Sequence, residues 1–518
     1  MNRWHIKFII LLLGLAVSIF WSSCRSDFDY VPNTGNLQFS KDTVFLDTVF
    51  SNIGSSTYTL KVYNKANEDI LIPFIGLESG QNSSYRLNVD GLAGKEFENT
   101  PLLSKDSLFV FIETTFDIST TPENEFLYTE ALVFGHGDNA QEVQLVTLIK
   151  DAVFLYPGNL GNGTKESLLL ETDEDGNEIR VDGFFLDQNE LQFTNEKPYV
   201  IYGYAAVPED ETLVMDAGTR VHFHQNSGIM VSPGASMHVN GLLSNNQDLL
   251  ENEVVFEGDR LEPTYAKEPG QWGAIWLRAG STNNHMDHLT IKNATIGIRA
   301  DGDGLLESET LTLKNTQIHN SLNFNLLATG ASIEAENCVL GSAGSNSFLV
   351  SLGGKYKFTH CTLANYWSHG FRSGTTLALN NFAQSDTGAI VTESLIYADF
   401  VNCIIYGTQN LELSLGADAA SSLNFSFSNC LLKFNDTSGQ FENNPLYDFN
   451  NNTFYRNNIL NQDPDFSAPF NDQFILGQLS AALDIGNPNI FPPVPTDILG
   501  TDRTSSPDIG AYETVIFN

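Results

Sequence analysis

Residues 314–340 read KNTQIHNSLNFNLLATGASIEAENCVL, and the pentapeptide that opens this stretch returns in altered form at its end. KNTQI at 314–318 and ENCVL at 336–340 both place an Asn before a small residue and end on an aliphatic residue. Four more copies are KNATI at 292–296, THCTL at 359–363, VNCII at 401–405 and SNCLL at 428–432. The steps between their second positions are 22, 22, 23, 42 and 27 residues.

A repeat of about 22 residues cannot cover its own apolar side chains, so it gains a core only by stacking on its neighbours. Three short strands separated by turns fill one such repeat. The pattern predicts a right-handed parallel β-helix over residues 195–435, with coils about 4.8 Å apart. We interpret the step of 42 as two coils, one without the motif, and the step of 27 as a coil with a loop insertion.

The conserved spacing also predicts the environment of the motif. Stacked Asn side chains form hydrogen-bonded ladders, and the small residue after each Asn is expected to point inward at a tight corner. Cys338, Cys361, Cys403 and Cys430 occupy this inward position and are interpreted as one column of small hydrophobic residues. Disulfide pairing within the column stays open, because an even number of cysteines in an exported protein allows it. Zinc binding is disfavoured by the absence of close Cys pairs in the sequence.

The composition narrows the classes of function. The chain has 518 residues, with 26 Lys+Arg against 63 Asp+Glu and a formal net charge of −37. The hydrophobic content of 42% is sufficient for a sizeable core. Binding a polyanion needs clustered Lys and Arg, so we expect no nucleic-acid partner.

The N-terminus has the pattern of an export signal. The basic segment MNRWHIK precedes an apolar run at 8–20 and small residues at 22–23, before Cys24. The apolar run is shorter than the roughly 20 residues of a spanning helix, and we expect no integral membrane segment. The pattern resembles a bacterial lipoprotein signal, which implies a signal peptide at 1–23, lipidation of Cys24 and a linker at 24–36. An exported lipoprotein anchored in the outer membrane, facing the periplasm or the cell surface, follows from the resemblance; an ordinary secreted protein is the alternative.

Residues 37–150 predict a second folded unit. Runs of β-branched and aromatic residues occur at 43–46, 58–63, 70–74 and 108–112, with polar turns such as NIGSS at 52–56 between them. About seven such runs are typical of an antiparallel β-sandwich. The pattern resembles Ig-like modules of cilia and bacterial surface proteins, which implies a spacer or a binding platform. Residues 151–194 are interpreted as a connecting segment.

Two further segments carry a second resemblance. VSPGASMHVNG at 231–241 and WGAIW at 272–276 are similar to the first coils of bacterial surface β-helix proteins with the pectate-lyase-like fold. The C-terminal segment 436–518, with DPDF at 463–466 and DIGAYE at 508–513, resembles their closing segment. We expect it to cover the end of the β-helix, where unpaired strands would otherwise aggregate. The predicted fold class is all-β: an N-terminal Ig-like β-sandwich, then a right-handed parallel β-helix with a C-terminal cap.

Candidate reactive residues are few. The basic residues of the repeat region include Arg278, Arg299, Lys355, Lys357 and Arg372, of which the two lysines alternate on one strand and can face outward together. HMDH at 285–288 combines metal-ligand types, although surface or turn roles are favoured. The acidic loops 173–178 and 301–304 offer oxygen ligands of the kind Ca²⁺ prefers. Apart from lipidation at Cys24, we assign no catalytic, cofactor-binding or metal residues, and calcium is the one cofactor left open.

The leading hypothesis is a non-catalytic binding or adhesion protein of the cell envelope, with a glycan or protein ligand inferred from the long face of a β-helix. A polysaccharide lyase or glycoside hydrolase is the alternative, and a structural spacer is the third reading. Converging Lys or Arg and carboxylates on one outer face would favour the enzyme, whereas Asn, Thr and aromatic residues would favour binding.

Overall fold

The computed structural model describes residues 30–117, 125–161, 163–173, 176–304, 308–385 and 388–514. The chain divides into two compact units, Met1–Lys150 and Asp151–Asn518. Within the described ranges the protein is all-β, and its helical turns are short 3₁₀ segments at Gly80–Asn82, Gly137–Asn139, Gln188–Glu190, Pro263–Tyr265, Pro445–Tyr447 and Pro469–Asn471. None of the helices in these ranges is long and apolar enough to cross a bilayer. The predicted lipidation site, Cys24, lies outside the described residues.

The first unit is a β-sandwich. Its larger sheet contains the strands Val31–Pro32, Ile70–Leu77, Glu125–Phe134, Gln141–Lys150, Thr43–Phe50 and Glu96–Leu102. Its smaller sheet contains the strands Gln38–Phe39, Tyr58–Tyr63, Ser107–Thr114, Tyr85–Val89 and Leu92–Gly94. Side chains of both sheets, among them Val44, Leu60 and Ile72, share one buried core, because alternate residues of each strand face the opposite sheet.

The sandwich is not purely antiparallel. Strand Thr43–Phe50 pairs in parallel with Gln141–Lys150, and Val31–Pro32 pairs in parallel with Ile70–Leu77. The remaining pairs are antiparallel, as predicted. The segments predicted as strands are strands. The residue pattern of a strand, however, does not show whether its partner strand runs parallel or antiparallel to it.

The second unit is a parallel β-helix built from three sheets, which we name sheets I, II and III in the order that each coil visits them. Sheet I contains Gln192–Phe193, Thr212–Met215, Ser236–Asn240, Asn284–Asp287, Leu311–Lys314, Ser332–Glu336, Gly354–Thr359, Leu395–Val401, Ser426–Ser428 and Tyr455–Arg456. Sheet II contains Val153–Leu155, Tyr199–Ile201, Arg220–Phe223, Val254–Gly258, Leu289–Lys292, Gln317–His319, Val339–Gly341, Thr362–Asn365, Ile404–Gly407, Leu431–Leu432 and Ile459–Leu460. Sheet III contains Ser167–Thr172, Glu178–Phe185, Tyr204–Val207, Gly228–Val231, Trp272–Leu277, Ala294–Asp301, Phe324–Thr329, Phe348–Leu352, Leu377–Asn380 and Leu413–Gly416. Two hairpins, Phe382–Gln384 with Ile390–Thr392 and Phe466–Ala468 with Gln473–Leu476, complete the strands.

Stacking creates the core that a single coil lacks. Inward positions line up in register, as in the column of Phe358, Phe400, Phe427 and Tyr455, whose rings follow one another at 5.2, 5.1 and 5.7 Å. All four side chains are almost completely buried. The stacked strands extend from Val153 to Leu460, to both sides of the predicted range 195–435.

The repeated Asn and His residues line up at the corner between sheets I and II, as predicted, with one correction. His288, Asn315, Asn337, His360, Asn402 and Asn429 occupy it, all with φ between 46° and 54°. Asn tolerates this left-handed region better than most residues. Asn293, which the repeat placed in the file, instead lies at the next corner, between sheets II and III, where it accepts a hydrogen bond from Asn320. The 22-residue step to Asn315 was coincidental, because the true equivalent, His288, lies 27 residues before it.

The interpretation of the 42-residue step as two coils is wrong. Thr359 pairs directly with Val401, and the backbone N–H of His360 donates to the carbonyl of Val401, so these residues belong to adjacent coils. The extra length is taken up by the loop after Asn365 and by the hairpin Phe382–Gln384 with Ile390–Thr392. A coil can grow outward at its turns without disturbing the stack, and spacing alone cannot distinguish a long coil from two short ones.

The inward position of the four cysteines is confirmed. Cys338, Cys361, Cys403 and Cys430 are completely buried, and none forms a disulfide. Their thiols donate to backbone carbonyls, as from Cys403 to Phe358 at 3.4 Å and to Val401 at 3.3 Å. Burial raises the pKa of the Cys338, Cys361 and Cys403 thiols well above its usual value, which keeps them protonated as donors. Leu289 and Thr316 share the column, and Leu289 shows that the corner also admits a larger side chain.

The predicted closing segment does two things. Aromatic residues of its first part, including Phe441, Tyr447 and Phe454, pack against the last core residues and close the end of the core. The later part, which contains DIGAYE, lies along the outer face of sheet II, where Ile498, Ala511 and Tyr512 pack with Val339 and Ala364.

Acidic residues of the closing segment have structural partners. Asp497 accepts hydrogen bonds from the backbone of Leu499 and Thr501 at 2.9 and 2.7 Å. Arg503 pairs with Glu513 at 3.2 Å, with the Arg503 side chain completely buried. These charges therefore organise the turns of the closing segment, and Arg503 also donates to the Asn337 side chain of the β-helix at 3.4 Å.

Candidate functional site

The outer face of sheet I gathers most of the polar candidates. Strand register places His238, His285, Thr312, Glu334 and Lys357 in one row that crosses successive coils, and Asp399 follows Lys357. A parallel row two residues further along the strands contains Asp287, Lys314, Glu336 and Thr359. Equivalent positions of adjacent coils lie about 4.8 Å apart, so these side chains form a regular polar array.

Opposite charges in the array pair between coils. The Lys357 ammonium lies 3.9 Å from the Glu334 carboxylate, and the Lys314 ammonium lies 3.7 Å from that of Glu336. All four side chains are partly exposed, so each pair stabilises the fold only slightly. The array therefore offers hydrogen-bond donors and acceptors to a ligand while its charges are balanced internally.

A cleft lies beside this array. Residues 487–495, NPNIFPPVP, cross the coils as a segment that we name the proline strap. Pro492 and Val494 of the strap face Lys314, Glu334 and Lys357 across a cleft of about 90 Å³. Thr312, Leu313, Ala335, Glu336 and Thr359 complete its lining. Prolines restrict the strap backbone, so the cleft has one fixed wall and one wall of polar side chains.

Phe491 gives the strap an aromatic tip. It immediately precedes Pro492, and 91% of its surface is exposed. Aromatic rings present a flat apolar surface to which a ligand can stack. An exposed aromatic ring therefore adjoins, along the chain, the proline that lines the cleft, although Phe491 is not itself part of the lining.

The predicted metal-ligand types at 285–288 do not converge. Met286 points into the core, and His288 forms the corner, where its Nδ1 lies 2.7 Å from an Asp287 carboxylate oxygen. Burial lowers the pKa of His285. Burial acts to raise the pKa of Asp287, but hydrogen bonds from His288 and Asn315 outweigh it and hold the pKa below its usual value. Across the described ranges no group of three or more His, Cys, Asp or Glu side chains is arranged to hold a metal ion.

Arg278 directly follows the sheet III strand that contains Trp276, Arg299 lies on sheet III, and both guanidinium groups lie over the Trp276 ring. Their guanidinium carbons are 5.0 and 4.2 Å from the Trp276 ring centre. Asp301 accepts from the Trp276 indole at 2.7 Å and pairs with Arg299 at 3.0 Å. The first carboxylate of the candidate calcium loop 301–304 is thus already engaged by protein donors.

Arg372 is a buried structural residue. Its guanidinium donates to the Glu412 carboxylate at 2.6 Å and to the carbonyl of Asn365 at 2.8 Å. Glu412 also accepts from the hydroxyl and backbone N–H of Thr376 at 2.8 and 3.1 Å. The exposed fractions of the Arg372 and Glu412 side chains are 5% and 0%, which removes both from contact with a ligand.

In the acidic loop 173–178, the second candidate calcium loop, Asp173 closes a turn. Its carboxylate accepts from the backbone and the side chain of Asn177 at 2.7 and 2.9 Å. Residues 174 and 175 of this loop lie outside the described residues. Asp173 is a turn-forming acceptor in the part of the loop that the structure describes.

Of the basic residues selected from the sequence, the structure brings only Lys355 and Lys357 to the polar array. Sequence reasoning missed Lys314, Glu334, Glu336 and the proline strap. Lys314 and Glu336 precede the corner Asn in two successive repeats, and that shared position could have identified them as neighbours. Nothing local marks the strap as a partner, because it is more than 100 residues away along the chain.

Comparisons with known proteins give little further information. No protein-family model matches the chain, and no curated protein matches it. Among solved structures, an ASH / PapD-like domain of human CEP192 (PapD-like domain 7) is similar at 10% identity and a TM-score of 0.15, covering 24% of this chain and 89% of that domain. The catalytic unit of a thermostable GH87 alpha-1,3-glucanase from Streptomyces thermodiastaticus strain HF3-3 is similar at 8% identity and a TM-score of 0.23, covering 72% of this chain and 79% of that one.

Proposed function

We propose that this protein is a non-catalytic, glycan-binding lipoprotein of the cell envelope, and that the cleft between sheet I and the proline strap is its binding site. The observation that carries the proposal is the cleft itself. It combines a row of paired Lys and Glu side chains with a wall formed by Pro492 and Val494, and the exposed Phe491 immediately precedes Pro492. Binding sites of this kind fix a ligand with a few placed polar groups beside an apolar wall.

Anchoring at Cys24 is part of the proposal. Acylation there would tether the chain by its N-terminus, since several acyl chains bind a membrane much more firmly than one. A Cys24→Ser variant is expected to move from the membrane fraction to the soluble fraction on cell fractionation. Retention of that variant in the membrane fraction would contradict lipid anchoring.

The binding role is tested by removing the ion pair that lines the cleft. We expect the double variant Lys357→Ala, Glu334→Ala to lose at least about tenfold in affinity on a glycan array, because both a donor and an acceptor disappear. The matched control is Arg180→Ala, Glu178→Ala, which removes an exposed pair at 2.9 Å outside the cleft. Equal binding by the two double variants would contradict the assignment of the site.

The cleft also meets the criterion given above for an enzyme, because Lys and carboxylate side chains converge on one outer face. We place binding first because these side chains are partly exposed and pair with each other at 3.7 and 3.9 Å. The same samples test the enzymatic alternative. A lyase or hydrolase would release unsaturated products or new reducing ends from a polysaccharide, and a general base such as Lys357 would be required for it. Product formation by the wild-type protein that is abolished in the cleft variant would overturn the non-catalytic proposal.

A further inference from the structure

We infer that the ligand of the cleft is an uncharged glycan. The inference rests on the proposed function and adds the chemical class of the ligand. It follows from the charges around the cleft, from their pairing and from the aromatic tip of the strap.

The charges on the array leave no excess for an anionic ligand. Lys314, Lys355 and Lys357 lie on the outer face of sheet I beside four carboxylates, those of Asp287, Glu334, Glu336 and Asp399. His285 faces the same side, and its burial lowers its pKa, which favours the neutral imidazole. A uronic-acid polymer would need several unpaired cations along its path, whereas this array has none in excess.

Pairing strengthens the same conclusion. Both cleft lysines lie within 4 Å of a glutamate on an adjacent coil. An anionic group that approached Lys357 would therefore meet the Glu334 carboxylate at the same time. A hydroxyl group is not repelled by that carboxylate, because it can donate a hydrogen bond to a carboxylate and accept one from an ammonium group. A polyol satisfies both members of each pair at once.

The net charge of the whole chain also disfavours an anionic ligand. The formal net charge of −37 repels a polyanion at distances comparable with the Debye length, about 8 Å at physiological salt. An uncharged ligand is not repelled. The exposed ring of Phe491, which immediately precedes Pro492, offers it a surface for the apolar face of a sugar.

The experiment compares binding of the purified protein to uncharged polymers (dextran, amylopectin and cello-oligosaccharides) and to polygalacturonate and alginate. Affinity electrophoresis is run at low and at high ionic strength. We expect retention by an uncharged polymer that is the same at both ionic strengths. Phe491→Ala should weaken it by about tenfold. Phe371→Ala, which removes an equally exposed ring (91%) on the loop after Asn365 and not on the strap, should leave it unchanged.

The outcomes separate the two proposals. Salt-sensitive retention by an acidic polymer that is lost in the Lys357→Ala, Glu334→Ala variant would overturn the uncharged class and leave glycan binding at the cleft intact. Retention that is indifferent to both the ion-pair variant and Phe491→Ala would overturn the site. Absence of retention by every polymer would overturn both proposals.

Discussion

Replacing Phe400 with alanine is expected to lower the free energy of unfolding of the β-helix by about 3–5 kcal/mol. The ring is completely buried and stacks between Phe358 and Phe427 at 5.2 and 5.1 Å. Its removal leaves a cavity in the middle of the column, where the strands on either side are held in register and cannot close the gap. Because each coil contacts only its neighbours, the loss also uncouples the coils on either side.

Tryptophan fluorescence during denaturant unfolding measures this effect selectively. Trp272, Trp276 and Trp367 all lie in the β-helix unit, and the sandwich residues 37–150 contain none. Phe371→Ala is the control, because that ring is 91% exposed and such surface changes cost at most about 0.5 kcal/mol. Equal midpoints for the two variants would mean that the ring column does not support the stack.

The second large effect is expected at Glu412. Glu412→Ala should cost about 3–5 kcal/mol, because it leaves the buried guanidinium of Arg372 without its counter-charge. The Arg372 guanidinium lies 2.6 Å from the Glu412 carboxylate, which also accepts hydrogen bonds from Thr376 and Gln409. All of these donors lose their partner together, and the loop that they organise connects sheets II and III.

A double replacement distinguishes loss of charge pairing from loss of packing. Arg372→Met combined with Glu412→Leu removes both charges and keeps apolar volume, so it should be less destabilising than Glu412→Ala alone. Glu178→Ala breaks an exposed pair with Arg180 and is expected to have little effect. If the double variant is as unstable as the single one, the buried charge is not the cause.

The fold could be predicted largely from local pattern. Alternating strand residues and a small residue after each corner Asn determine which side chains face inward, and this requires only the sequence of one coil and its copies. Cys338, Cys361, Cys403 and Cys430 were placed correctly for that reason, since each copy sees the same neighbours above and below. The pattern failed at Asn293, because Asn also occupies the corner between sheets II and III, and the 22-residue spacing to Asn315 fits that wrong corner.

The candidate site was predicted only in part. Lys355 and Lys357 were expected to face outward. Their neighbours come from other coils and from the strap, and the sequence of one strand does not identify such neighbours. Arg372 shows the opposite error, because it was selected as a candidate reactive residue whereas it is buried and paired with Glu412, which lies 40 residues later. Charge predicts exposure only when no partner is available.

By itself, the sequence determined that the chain is all-β, that its second unit is a stack of short coils, and which side chains those coils bury. The tertiary structure alone decided where the closing segment lies and hence that a cleft exists beside sheet I. Asn337 donates to the carbonyl of Thr496 across 159 residues, and contacts of that kind leave no periodic trace in either partner. Periodicity records the interactions that every coil repeats, whereas a binding site is made by interactions that occur once.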